Sequence, residues 1–88
     1  MATSRVIAEW MMRELVRVTY LAQDSVAWEI SDRFGERFIY VNSNGNPAIN
    51  RDVLREFDSL TKSAVVWEFA SRLWRAREDY DLPSRRQP

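Results

Sequence analysis

An 88-residue chain with no cysteine and no histidine has one way to hold itself together. Disulfides and the usual zinc sites are excluded, so a packed apolar interior must do what cross-links do in many domains this small. The composition allows it: 45% of residues are apolar and 30% charged, a balance that folds rather than stays disordered. Only two glycines and three prolines interrupt the chain, so most of it should be regular structure. The length predicts a single domain over residues 1–80, with 81–88, poor in apolar residues, read as a C-terminal tail.

Periodicity divides the domain. Ser4 caps a helix to about Val18, with Ile7, Met11, Leu15 and Val18 on one stripe flanked by Ala8 and Met12. Tyr20 and Leu21 form a short extended link. A second helix opens at Gln23 or Asp24, buries Val26, Ala27, Ile30 and Phe34, and ends at Gly35. The β-rich run Phe38-Ile39-Tyr40-Val41 leads into Asn44-Gly45, a strong hairpin signal because both residues tolerate positive φ. A two-residue turn there pairs Val41 with Ala48 and Tyr40 with Ile49, and puts Pro47 on an edge. Asn50 caps a third helix from Arg51 to Thr61, burying Val53, Leu54, Phe57 and Leu60. Ser63 opens a fourth to about Asp79, with Val65, Val66, Phe69, Leu73, Ala76 and Tyr80 in line; the alternative is a strand beginning at Val65, where β-branched residues cluster. The expected fold is an α-rich α+β domain: helix, helix, hairpin, helix, helix.

Chemistry can be tested by elimination. Without histidine there is no Ser-His-Asp arrangement, and Lys62, the one lysine, lies beside Ser63 without the spacing of a dyad. Two isolated glycines build no phosphate loop. Asp52 with Glu56, and Asp79 with Asp81, pair carboxylates in mixed-charge surroundings that read as solvated surface rather than a metal or acid–base site. Asn42, Asn44 and Asn46 have calcium-loop spacing without its charge, and read as a turn. The chain is therefore expected to be non-enzymatic, with no cofactor and no metal. No apolar run is long enough to span a bilayer and none reads as a signal peptide, so the expected setting is cytoplasmic, without a membrane partner.

Thirteen basic and thirteen acidic residues cancel, and no overall field steers the chain to nucleic acid. Twelve of the cations are arginine, spread along the sequence. The third helix exposes Arg51 and Arg55 beside Asp52, Glu56 and Asp58, a face acidic by one charge and unsuited to phosphates. The most basic stretch is Arg72, Arg75 and Arg77 with Arg85 and Arg86, and these carry the alternative of nucleic-acid binding. The tryptophans are more informative. On the helical wheel Trp10 and Trp28 fall off their core stripes, while Trp67 and Trp74, seven apart with Ala70 between, form a line of their own. Trp67, Trp74, Ala70, Trp10 and Trp28 are the candidate interface, because tryptophan is enriched at binding hot spots. The leading expectation is a binding module that contacts another protein or itself as a homodimer.

Ala8-Glu9-Trp10-Met11 with Tyr20-Leu21, the hairpin from Phe38 to Ile49, Val66-Trp67-Glu68 with Trp74-Arg75, and the Pro83 to Gln87 segment together resemble a family of short bacterial proteins of unknown function. The resemblance spans nearly the whole chain, and the size is similar to that of mobile gene-cassette products. It implies a bacterial domain and assigns no catalytic or binding residues. It also invites comparison with winged-helix domains, whose main hairpin follows the third helix rather than preceding it.

Overall fold

A computed structural model describes residues 2–88. Helix α1 spans Ser4–Val18, strand β1 Leu21–Ala22 and helix α2 Gln23–Phe34. A 3-10 turn, Glu36–Phe38, leads to the hairpin β2 (Ile39–Val41) and β3 (Pro47–Ile49). Helix α3 spans Arg51–Thr61 and a second 3-10 turn Lys62–Ala64. The strands β4 (Val65–Glu68), β5 (Leu73–Ala76) and β6 (Arg86–Gln87) complete the chain. The class is the expected one, a helix-rich α+β domain, with three helices instead of four.

The first three helices fall where periodicity puts them. The cap of α1 is Thr3, one residue before Ser4; its Oγ1 accepts from the Val6 amide at 3.2 Å. Asn50 caps α3 through the Asp52 amide at 3.0 Å. Helix α2 has no side-chain cap, because the sheet supplies one: its first amide, on Gln23, donates to Arg72 O at 3.0 Å. Ile7, Met11, Ile30, Val53 and Phe57 are wholly buried between the helices, with α1 packed chiefly on α3.

Three expectations are corrected. In place of a fourth helix there is a second hairpin, β4–β5. The adjacent β-branched Val65 and Val66 favour extended backbone, and Lys62 at φ 49° breaks helical continuity just before them. The turn closes through Arg72 at φ 55°, whose amide donates to Phe69 O at 3.3 Å. β1 then extends the sheet, Leu21 opposite Trp74 and Ala22 opposite Leu73, so β5 is paired on both sides.

The first hairpin is shifted by one residue: Val41 lies opposite Pro47, Tyr40 opposite Ala48 and Ile39 opposite Ile49. The Asn42 side chain causes the shift, since its Oδ1 accepts from the Asn44 and Asn46 amides, each at 3.0 Å. A three-residue loop forms around that anchor, with Gly45 at φ 81° in its left-handed position. Pro47 then occupies a non-hydrogen-bonded site, where it has no ladder bond to lose.

Finally, residues 81–88 do not trail away. β6 runs parallel to β4, and the amides of Trp67 and Phe69 donate to Arg85 O at 2.9 Å and Gln87 O at 3.0 Å. The four-stranded sheet is ordered β1-β5-β4-β6. The sheet thus joins a strand between the first two helices to a hairpin after the third, with β2–β3 inserted between α2 and α3.

Candidate functional site

The four tryptophans part company in the structure. Trp67 and Trp74 do stand together, but across a strand pair and not along a helix: they are opposite each other in β4 and β5, with ring centroids 4.6 Å apart. Trp74 is only 5% exposed and meets Phe57 edge-on at 5.7 Å, so it is core. Trp67 is half-buried against it. Trp10 is also core, 8% exposed, because α2 covers the flank of α1 that a lone helical wheel leaves open; Phe34 meets its ring at 5.7 Å and Arg33 caps it at 5.5 Å. Ala70 is exposed in the β4–β5 turn. Trp28 alone keeps the outward position expected of all four, 56% exposed.

The candidate nucleic-acid arginines are also dispersed. Arg75 lies on the sheet face away from the helices. There Asp81 accepts from both terminal nitrogens at 2.9 and 2.8 Å, and Glu68 accepts from Nε at 2.8 Å. This bidentate clasp, helped by the Glu78 amide, holds the Asp81 carboxyl down at about 2 and raises Arg75 above its ordinary range. Ser71 and then Arg75 lower Glu68. Val66, on the same face, is wholly buried, so the segment returning from β5 covers this side as the helices cover the other. Arg77 fastens that segment: Nε donates to Ser63 O at 2.6 Å, and its terminal nitrogens to Leu82 O at 2.8 Å and Ser84 O at 3.1 Å. Arg72 pairs with Asp24 at 2.6 Å. Arg85 pairs with Asp58 at 3.1 Å and with the Thr61 hydroxyl. Arg86 is exposed and lies 6.0 Å from the Phe69 ring. Four of the five arginines therefore serve internal acceptors and form no common phosphate-facing patch.

A cleft of about 320 Å³ remains beside Trp67, between Leu54 and Asp58 of α3 and Arg85 and Arg86 at the start of β6. A wider groove, about 490 Å³, runs between α2 and β2, floored by Trp28, Ser31 and Ile39 and edged by Arg37, Tyr40 and Val41. Tyr40 and Val41, on opposite faces of β2, are 55% and 66% exposed, so the strand beside Trp28 shows apolar side chains on both its faces.

The backbone beside this groove is open. Asn50 N donates to Phe38 O at 2.8 Å, and Asn42 N to Asn46 O at 2.9 Å. Hydrogen-bonded positions alternate along an antiparallel strand, so Phe38, Tyr40 and Asn42 turn their polar groups toward β3. Ile39 and Val41 turn theirs outward. The Ile39 amide folds back to Glu36 O. The Ile39 carbonyl and both Val41 groups point along the free edge. Sequence reasoning flagged Trp28 but not this edge, because it placed Val41 one register position away. The signal was present in Asn42, whose short side chain competes for loop amides.

Comparison with known proteins adds the family. Residues 3–76 match the model of a family of unknown function (DUF6953), and the chain belongs to that family. No curated protein and no solved structure matches it.

Proposed function

We propose that this protein is a non-enzymatic binding module that acts through protein contacts made by Trp28 and the exposed strand β2 at Tyr40 and Val41. The observation that carries the reading is the meeting of exposed apolar side chains, Trp28 among them, with an unpaired strand edge beside one groove. Large exposed aromatics supply affinity, and an unpaired edge supplies direction, since an incoming strand must satisfy its polar groups in register. The chain lacks the histidine and cysteine on which most acid–base and nucleophilic sites rely, which favours binding over catalysis. The absence of cysteine also suits a reducing, cytoplasmic setting.

The likeness to winged-helix domains invites a nucleic-acid reading, but a fold does not assign a function. On α3, Arg51 and Arg55 stand beside Asp52, Glu56 and Asp58, the last two already paired with Arg5 and Arg85, and four of the five C-terminal arginines are held by internal acceptors. Both features favour protein over phosphate.

The test is photo-crosslinking in cells from a probe residue placed at Ser31, on the floor of the groove. Discrete protein adducts that disappear with Trp28→Ala are expected. A probe at Ser31 that yields no more than one placed at the exposed Asp79 sinks the reading.

A further inference from the structure

We infer that the partner at this face is a second copy of the chain, joined by antiparallel pairing of the two β2 strands about a two-fold axis through Tyr40. The inference rests on the binding-module reading and goes beyond it by naming the occupant.

The free edge is self-complementary. Its outward-facing residues, Ile39 and Val41, flank Tyr40 symmetrically. An axis at Tyr40 sets Val41 of one copy opposite Ile39 of the other, as a hydrogen-bonded pair. Each Val41 amide then donates to the Ile39 carbonyl of the second copy, and the two bonds satisfy donors and acceptors that a single chain leaves facing solvent. No residue is skipped, and neither strand needs to shift its register with β3.

The flanking charges permit this approach. In that register Arg37 lies opposite Ser43 of the second copy and Glu36 opposite Asn44, so no like charges face each other. Neither Arg37 nor Glu36 is held by an ion pair among the described residues, and Arg37 lies over the Phe38 ring at 4.6 Å, clear of the edge. The chain's net charge of zero adds no long-range repulsion between copies.

The unpaired edge gives a reason for association. β2–β3 is a separate two-stranded ribbon, while the other four strands form their own sheet. The ribbon is held to the domain through β3, whose three residues are all buried, while β2 keeps one edge unpaired among the described residues. Pairing β2 with β2 makes one continuous four-stranded sheet, β3-β2-β2-β3. It also brings the exposed Tyr40 rings together across the axis and lays each incoming strand beside the other copy's Trp28. Residue 40 thus becomes the one position that meets itself.

That symmetry supplies the experiment. Sedimentation equilibrium of the full chain should show a concentration-dependent dimer. Tyr40→Lys and Tyr40→Glu each set two like charges face to face, and each should weaken the dimer about tenfold or more. An equimolar mixture of the two variants should recover it as a heterodimer, detected by native mass spectrometry. Tyr40 lies outside the core, so unchanged circular dichroism is expected for both variants. A dimer indifferent to both substitutions, or not restored by mixing, overturns the inference while leaving self-association elsewhere intact. A wild-type chain that stays monomeric while the Ser31 probe captures a different protein overturns the second copy but keeps the face. A monomer without adducts removes both proposals.

Discussion

Trp74→Ala tests directly which indoles form the interior. The ring is 5% exposed, sits edge-on to Phe57 at 5.7 Å and lies 4.6 Å from Trp67, on the strand that joins β1 to β4. Truncating a buried tryptophan costs about 3–5 kcal/mol, from lost transfer energy and the cavity left behind. An 88-residue domain has a total stability of about 4–13 kcal/mol. The substitution should therefore remove about a quarter or more of the stability, lowering the melting midpoint by at least about 12 °C. Trp28→Ala, at a position 56% exposed, is the matched control and should stay within about 0.5 kcal/mol of the parent. Urea titrations followed by circular dichroism measure both, provided the slope with denaturant is unchanged. If Trp28→Ala costs more than Trp74→Ala, the packing described for β5 is wrong, and with it the conclusion that Trp28 is free to bind.

Two further substitutions probe the ends of the argument. The Arg75 clasp holds Asp81 at about 2, below its ordinary 3.8, so its stabilising contribution is complete above about pH 4 and disappears as the pH falls through 2. Asp81→Asn should lower stability at neutral pH and flatten the acid limb of the stability profile between those values; parallel acid limbs would mean that the clasp contributes nothing. Gly35 and Gly45 have open space where a Cβ would stand, so an alanine at either meets only backbone strain. Gly45 at φ 81° is in the ordinary left-handed range, whereas Gly35, at φ 118° and ψ 146°, occupies a region that side chains scarcely enter. Gly45→Ala should cost about 1 kcal/mol and Gly35→Ala about 2–3 kcal/mol in chemical denaturation, and equal costs would contradict this conformational difference.

The helices were legible because their signals are local. Thr3 or Ser4, Gly35 and Asn50 mark ends, and the apolar stripes of α1, α2 and α3 repeat often enough for periodicity to outweigh noise. The stretch from Val65 to Ala76 reads locally as helix, and the alternative of a strand from Val65 is the one the structure adopts. Val65, Val66, Phe69, Leu73 and Ala76 satisfy a helical wheel, but two hairpin strands joined by a four-residue turn place Trp67 and Trp74 in register too. Only the partners decide between these readings, and they lie far away in the sequence: β1 at Leu21 on one side and β6 at Arg86 on the other. Residues 81–88 escape local pattern on the same ground. They bury little apolar area, and what fixes them is polar: Arg75 to Asp81, Arg77 to three consecutive backbone carbonyls, and the Gln87 amide to Leu82 O and Ser84 O.

The same distinction explains why the candidate site moved. A helical wheel sorts tryptophans inward or outward one helix at a time, yet burial belongs to the assembled layers. Trp10 lies just off its own helix's core stripe and is covered by Phe34 from α2. Trp74 belongs to no helix and is covered by α3 through Phe57. Trp28 stays out because the ribbon that follows α2 covers other parts of the chain: β3 turns inward, all three of its residues buried, while β2 exposes Tyr40 and Val41. The one-residue shift forced by Asn42 decides which backbone groups of β2 face outward. With the two-residue turn, hydrogen-bonded positions would fall against different β3 residues, and Asn42 would not pair with Asn46. The open edge at Ile39 and Val41 is thus a consequence of a loop side chain, and Asn42→Ala should disturb the dimer without touching any residue at its two-fold axis.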